Sequence, residues 1–451
     1  MIFVSLTVAV IAAIVAWRGT AVQALCVYVA SLLWYPEFVS IPVGSLDFTV
    51  GRILVLVCLI KVLIQRVDLD AFRLRRFDLL VLLVVAAKIF SVATHEPLGR
   101  TLEAESGNLC NTVLPYFLVR ITISSRERLH VFLRALGIIA APLAVLGCIQ
   151  CTTGFNPFAF MQAYSAWNSE ARGGALRWGL SRATVTFDQY IAFGLFFAAV
   201  LPLALARSTP AEAKWSKIVI VVLLIAGALS SMSTAPLLSL AVSGAFLALY
   251  PFRKYSAVVV LVLAATIVVM EVASDRHFYE VMSRFAMDSS TAYDRVGLYK
   301  EALGGGMNGH WIFGFGFVGL GAGNTNTYFA WEYKDFTSFY IEHLAKFGLI
   351  VVAPLLLVNA GYYILLHRTF KKFRSGADRW TLWCVAATLL GWNLAMLTVT
   401  TVSVLPQLLY MFIGLAASLD RAFRPELVPS GRASRTTRDV TRKPVLVGER
   451  G

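Results

Sequence analysis

Charge is scarce in this chain. Only 15% of its 451 residues are Asp, Glu, Lys or Arg, while 58% are hydrophobic. Soluble domains carry about 25% charged and about 45–50% apolar residues, so a water-exposed globule of this composition would leave much apolar surface uncovered. Metal chemistry lacks a motif as well: there is no HExxH and no group of histidines at ligand spacing. His95, His277 and His310 stand alone in loops and read as solvated. Cys148-Ile-Gln-Cys151 has CxxC spacing but ends an apolar helical stretch with no thioredoxin-like strand pattern, so small apolar filler is the better reading. No solenoid-length repeat, no matched pair of broken helices and no small-residue cleavage site after the first apolar block is present.

What is abundant is apolar sequence in blocks of roughly 17–25 residues, the length that crosses a ~30 Å hydrocarbon core. Such blocks lie near 2–17, 21–37, 49–65, 78–94, 111–121 (short), 129–151, 186–206, 218–232, 235–251, 256–273, 346–366, 380–402 and 404–420. The expectation is an all-α polytopic membrane protein with about 12–13 transmembrane helices and a large helical periplasmic loop. The net charge of +14 does not point to nucleic acid, because its placement follows the membrane. Arg66, Arg73, Arg75 and Arg76, then Arg126 and Arg128, Arg207, Lys214 and Lys217, Arg253 and Lys254, and Arg368 to Arg379 all fall on one side if the spans alternate. That is the positive-inside pattern. Residues 1–420 then form the membrane domain, and 421–451, rich in Arg, Ser, Thr, Gly and Pro, a disordered basic cytoplasmic tail suited to anionic lipid. Thirteen spans place the N-terminus outside, and twelve place it inside.

Three longer segments are left for the outer face: 95–111, 152–185 and 274–345. In the last, 275–285 and 291–303 have helical spacing, Gly304 to Gly306 make a turn, and an amphipathic piece from Asp335 leads into the span at Leu349. The glycines from Gly314 to Gly323 contain GxGxxG, but no strand–helix unit surrounds them. Close backbone approach to a ligand or a neighbouring helix is the better reading.

Arginine on the outer side is the informative anomaly. Residues 152–185 carry Arg172, Arg177 and Arg182 against one carboxylate, Glu170, and the long loop adds Arg276, Arg284, Arg295 and Lys300. A guanidinium donates two parallel hydrogen bonds and stays charged, so several of them suit a lipid-linked phosphate or diphosphate. Local pairing is the alternative, Arg284 with Asp288, Arg295 with Asp294 or Glu301, and Arg172 with Glu170. Arg177 and Arg182 have no nearby acid but Asp188. Glu332, Asp335, Glu342 and His343 cluster before the next span and supply candidate proton acceptors, or are simply solvated. A base beside cations fits glycosyl transfer from a polyprenyl-diphosphate sugar.

Three stretches carry a resemblance. They are Gln150 to Phe158 with Arg177-Trp-Gly-Leu-Ser-Arg182 before an apolar helix, Asp294-Arg295 to Ala302 followed by Trp311-Ile-Phe-Gly314-Phe-Gly316, and Thr337-Ser-Phe-Tyr340-Ile-Glu-His-Leu344-Ala-Lys-Phe-Gly348-Leu. In this order they resemble the O-antigen ligase and polymerase family of bacterial inner membranes. The resemblance implies a metal-independent, cofactor-free inverting transferase whose donor is an undecaprenyl-pyrophosphate-linked glycan. The acceptor would be lipid A-core in a ligase and a lipid-linked repeat in a polymerase. By position, Arg182 and Arg295, helped by Arg177 and Arg284, would bind the pyrophosphate at the periplasmic face. The family's histidine falls on Thr337 here, and Ser233-Thr234 stands where many members have Ser-Arg. His343 lies six helical residues on, ~9 Å along an axis, so Asp335 is the preferred base, ahead of Glu342 and His343. The missing histidine favours a polymerase of exopolysaccharide or O-antigen over a ligase. Transport of a polysaccharide or lipid-linked anion is the rival class, although transporters bury charge at mid-membrane, and only Lys61, Lys88 and Arg134 interrupt the centres of these spans. A non-catalytic assembly subunit is the third reading.

Overall fold

The computed structural model describes residues 2–44, 46–66, 72–164, 176–206, 214–255, 296–300, 302–316, 338–400 and 403–424, with single positions 265, 269 and 280. The chain is mostly helical. Its helices run α1 Ile2–Arg18, α2 Ala21–Trp34, α3 Val50–Ile64, α4 Arg76–Ala93, α5 Leu98–Asn111, α6 Val113–Thr122, α7 Arg126–Thr153, α8 Tyr190–Leu205, α9 Lys214–Ser230 and α10 Thr234–Ala248. After the long loop come α11 Phe339–Phe347, α12 Leu349–Lys372, α13 Gly376–Met396 and α14 Leu405–Ala422. Each apolar block expected from the sequence is a helix, except 256–273, which lies outside the described residues apart from 265 and 269. Two of the helices, α7 and α12, are long and apolar enough to cross a membrane, and α1, α2, α8, α9 and α10 are shorter apolar helices.

Local signals set the boundaries. Thr20 and Gln23 form a reciprocal capping box at α2, Ser125 caps α7, and Gly154 ends α7 with φ 74°. Three departures from the sequence reading follow from local chemistry. Residues 95–111 are largely helix α5 rather than loop. Two short antiparallel hairpins, β1 Ser40–Val43 with β2 Leu46–Thr49 and β3 Leu176–Arg177 with β4 Leu180–Ser181, interrupt the all-α pattern. Both turn through glycine at positive φ, Gly44 and Gly179. Finally, α11 does not run straight into the next helix. Ser338 caps its start, and Gly348 breaks it from α12.

Among the described residues, α8 and α14 are buried along most of their length. α8 packs against α7, α9, α10 and α13, with Phe193, Phe196 and Phe197 wholly buried. Gly227 lets α9 close on it, since a Cβ there would stand 2.8 Å from the Phe197 ring. α14 packs against α6, α12 and α13. One end of the bundle is tied by ions. Asp420 at the end of α14 receives Arg75 (3.0 Å), Lys372 (2.7 Å) and Arg424 (3.0 Å), Arg126 meets Asp378 at 2.6 Å, and Arg120 meets Asp78 inside the bundle at 3.3 Å. α4 and α14 run from this ionic end to the opposite one.

Candidate functional site

At that opposite end a cavity of about 170 Å³ lies among α4, α5, α11, α12 and α14. One wall is apolar, with Val84, Val85, Val351, Leu355 and Leu409. The other is polar, with Lys88, Asn108, Glu342, His343, Lys346 and Tyr410. Drug-sized pockets occupy ~300–1,000 Å³, so this one admits a headgroup rather than a whole glycan.

Helix α11 positions the polar wall, and three attachments hold it. At its start, Phe339 N donates to Val399 O (3.0 Å), and Tyr299 Oη lies 2.8 Å from both Ser338 Oγ and Leu397 O. At its end, the strand-like run Phe315–Gly316 lies against the last turn, with Phe315 N to Ala345 O at 2.8 Å and Gly316 N to Lys346 O at 3.0 Å. Gly314, at φ 70°, has no room for a side chain there, because a Cβ would stand 2.6 Å from the Lys346 carbonyl carbon. The close-approach reading of these glycines therefore holds for Gly314, and the approaching element is α11. Ser91 of α4 donates to Phe313 O (2.9 Å) and Phe347 O (3.0 Å), which fixes Lys88 against the same helix.

His343 and Glu342 are neighbours in sequence but differ in chemistry. Glu342 is already committed: Oε1 accepts from Lys346 at 2.6 Å and Oε2 from the Thr400 hydroxyl. These two bonds orient α11 and Lys346, and the ion pair with Lys346 favours the ionised carboxylate. The His343 ring lies between Phe339 (centroids 4.1 Å apart) and Phe347 (5.5 Å), and its Nδ1 lies 2.9 Å from Phe339 O. A carbonyl accepts only, so Nδ1 carries the proton and the neutral ring has its lone pair on Nε2. Nε2 makes no hydrogen bond among the described residues. Burial first, and then the Lys88 ammonium, push the imidazole down from its ordinary 6.5 to about 3. The ring is neutral at physiological pH.

Compared with known proteins, the chain matches no family model and no curated protein. Its site therefore stands on its own geometry.

The structure does not bring the described arginines into this cavity. Arg177 donates to Met232 O at 3.0 Å, and the Arg182 guanidinium stacks 3.2 Å above the Tyr190 ring. Both lie near the start of α8 and the end of α9, Arg177 on a carbonyl and Arg182 on an aromatic face. Arg284, Arg295, Asp335 and Thr337 lie outside the described residues. Sequence reasoning marked Lys88 only as an exception among span centres, and it missed Lys346, Asn108 and Tyr410. An ionisable residue inside an apolar helix was the available signal. Among the described residues no group of His, Cys, Asp and Glu is arranged to hold a metal.

Proposed function

We propose that this chain is a polytopic membrane glycosyltransferase. It acts at the periplasmic face of a bacterial inner membrane on an undecaprenyl-diphosphate-linked glycan, and the reaction is polysaccharide polymerisation. The observation that carries this reading is the His343 imidazole, neutral and with Nε2 uncommitted, in a cavity with one apolar and one cationic wall. In the reaction an acceptor hydroxyl attacks the anomeric carbon, and its proton passes to Nε2. The bond from that carbon to the diphosphate breaks, and the electron pair leaves with the diphosphate. Configuration at the carbon inverts. The step creates an imidazolium and one further negative charge on the leaving group, so a donor anion in the cavity favours the protonated ring and offsets the influence of Lys88. Arg284 and Arg295 of the long loop add two-pronged donors for the phosphates in this reading.

A strain lacking the chain tests this, with its glycolipids separated on a gel. Single-repeat caps on lipid A-core identify a polymerase, whereas bare core with accumulated lipid-linked polymer identifies a ligase. Returning the wild-type chain restores polymer. Returning His343→Gln lowers the rate by roughly 10²–10⁴-fold, the usual contribution of a general base. Full polymer from His343→Gln would remove this residue from the chemistry.

A further inference from the structure

We infer that Lys88 is the anion-binding residue of the cavity, and that with Lys346 beside it the ammonium holds the diphosphate of a prenyl-linked ligand. The ligand class rests on the transferase reading; the anion site rests on geometry.

Lys88 lies five residues from the end of α4, ~7–8 Å inward along the helix. Among the described residues it has no ion pair and no hydrogen bond, and its Nζ sits 4.7 Å from the centre of the Phe347 ring. That sets it apart from the other cations within the bundle. Arg120 has Asp78, while Arg75 and Lys372 share Asp420. Lys61 shows how a structural lysine behaves in this fold. It caps the end of α1 by donating to Ala16 O at 2.7 Å and to Gly19 O. Lys88 caps nothing and lines the cavity instead.

The surrounding acids balance the two lysines in number but leave Lys88 without a direct partner among the described residues. Lys346 is neutralised by Glu342, and His343 carries no charge. Glu105 and Glu342 act on Lys88 electrostatically, but both lie beyond ion-pair distance and both already accept hydrogen bonds, Glu105 from Asn108 at 2.8 Å. A cation in an apolar helix facing a cavity marks a ligand site by default. A long side chain that merely reached for the membrane surface would leave the bundle, whereas this one lies against Phe347 and beside His343. The apolar wall of Val84, Val85 and Leu355 faces the same cavity and suits the first part of a prenyl chain rather than a free phosphate.

Equilibrium binding to purified protein in lipid nanodiscs provides the test, with farnesyl diphosphate and inorganic pyrophosphate as probes. Farnesyl diphosphate is expected to bind, to lose at least tenfold in affinity in Lys88→Met, and to recover to within threefold in Lys88→Arg. The same charge removal at exposed Lys254 should leave affinity unchanged. Lys88→Met is apolar and suits its helix, and an unchanged unfolding temperature would verify the fold. Unaltered affinity in Lys88→Met overturns the site. Equal affinity for pyrophosphate overturns the prenyl assignment. A wild-type chain that binds through Lys88 but restores no polymer sinks the transferase reading alone, and polymer made by a Lys88→Met chain of unaltered affinity sinks this site alone.

Discussion

His343 differs from an ordinary surface histidine by its burial and by the Lys88 ammonium across the cavity, which together outweigh the opposing hydrogen bond to the Phe339 carbonyl. Its charge therefore couples to folding. The unfolded chain takes up this proton below about 6.5, whereas the folded chain does not until about 3. The contribution is whole above 6.5 and is lost as pH falls through that window. Thermal unfolding in detergent between pH 7 and pH 4 should show a steeper acid loss for wild type than for His343→Gln, and parallel curves would contradict the buried, neutral imidazole. His343 and Glu342 were both legible in the sequence as candidate acceptors, but the choice between them was not. That depends on Thr400, which binds Glu342 from 58 positions away. Lys88 was equally illegible as a partner, because only the packing of α4 on α12 and α11 brings it to a histidine so distant in the chain.

Helix boundaries were the most legible feature, since hydropathy and caps are local. The break between α11 and α12 was not. Gly348 has φ 73° and ψ −174°, a region open almost only to glycine. Its amide N–H bonds Leu344 O at 2.9 Å, and a side chain would strike the Ile312 carbonyl. Gly348→Ala should cost about 1–3 kcal/mol in backbone strain alone. If the chain is the transferase proposed above, displacing α11 by ~1 Å should lower turnover about 100-fold. Unfolding temperature and polymer length measured together would check both, and an alanine variant of wild-type stability would show that the bend is not required. The hairpins β1–β2 and β3–β4 escaped the sequence reading because each strand is no longer than four residues.

At the scale of the molecule, one end is ionic and the other holds the cavity. The buried pair Arg120–Asp78 anchors the ionic end, with side chains 2% and 1% exposed. Removing one partner leaves an uncompensated charge inside, so Asp78→Asn should destabilise by ~3–5 kcal/mol. Calorimetric unfolding in detergent would measure it, and a loss under ~1 kcal/mol would mean that Arg120 finds another acceptor. The arrangement of the ends was partly readable from the clustering of basic residues, but the acids that receive them were not, because Asp420 and Asp378 lie far along the chain from Arg75 and Arg126. The walls of the cavity run from Val84 on α4 to Tyr410 on α14. A ribosome delivers these helices in order, so no nascent chain owns a finished pocket before α14 emerges. The cavity thus stays open on one side until α14 has joined α4, α5, α11 and α12.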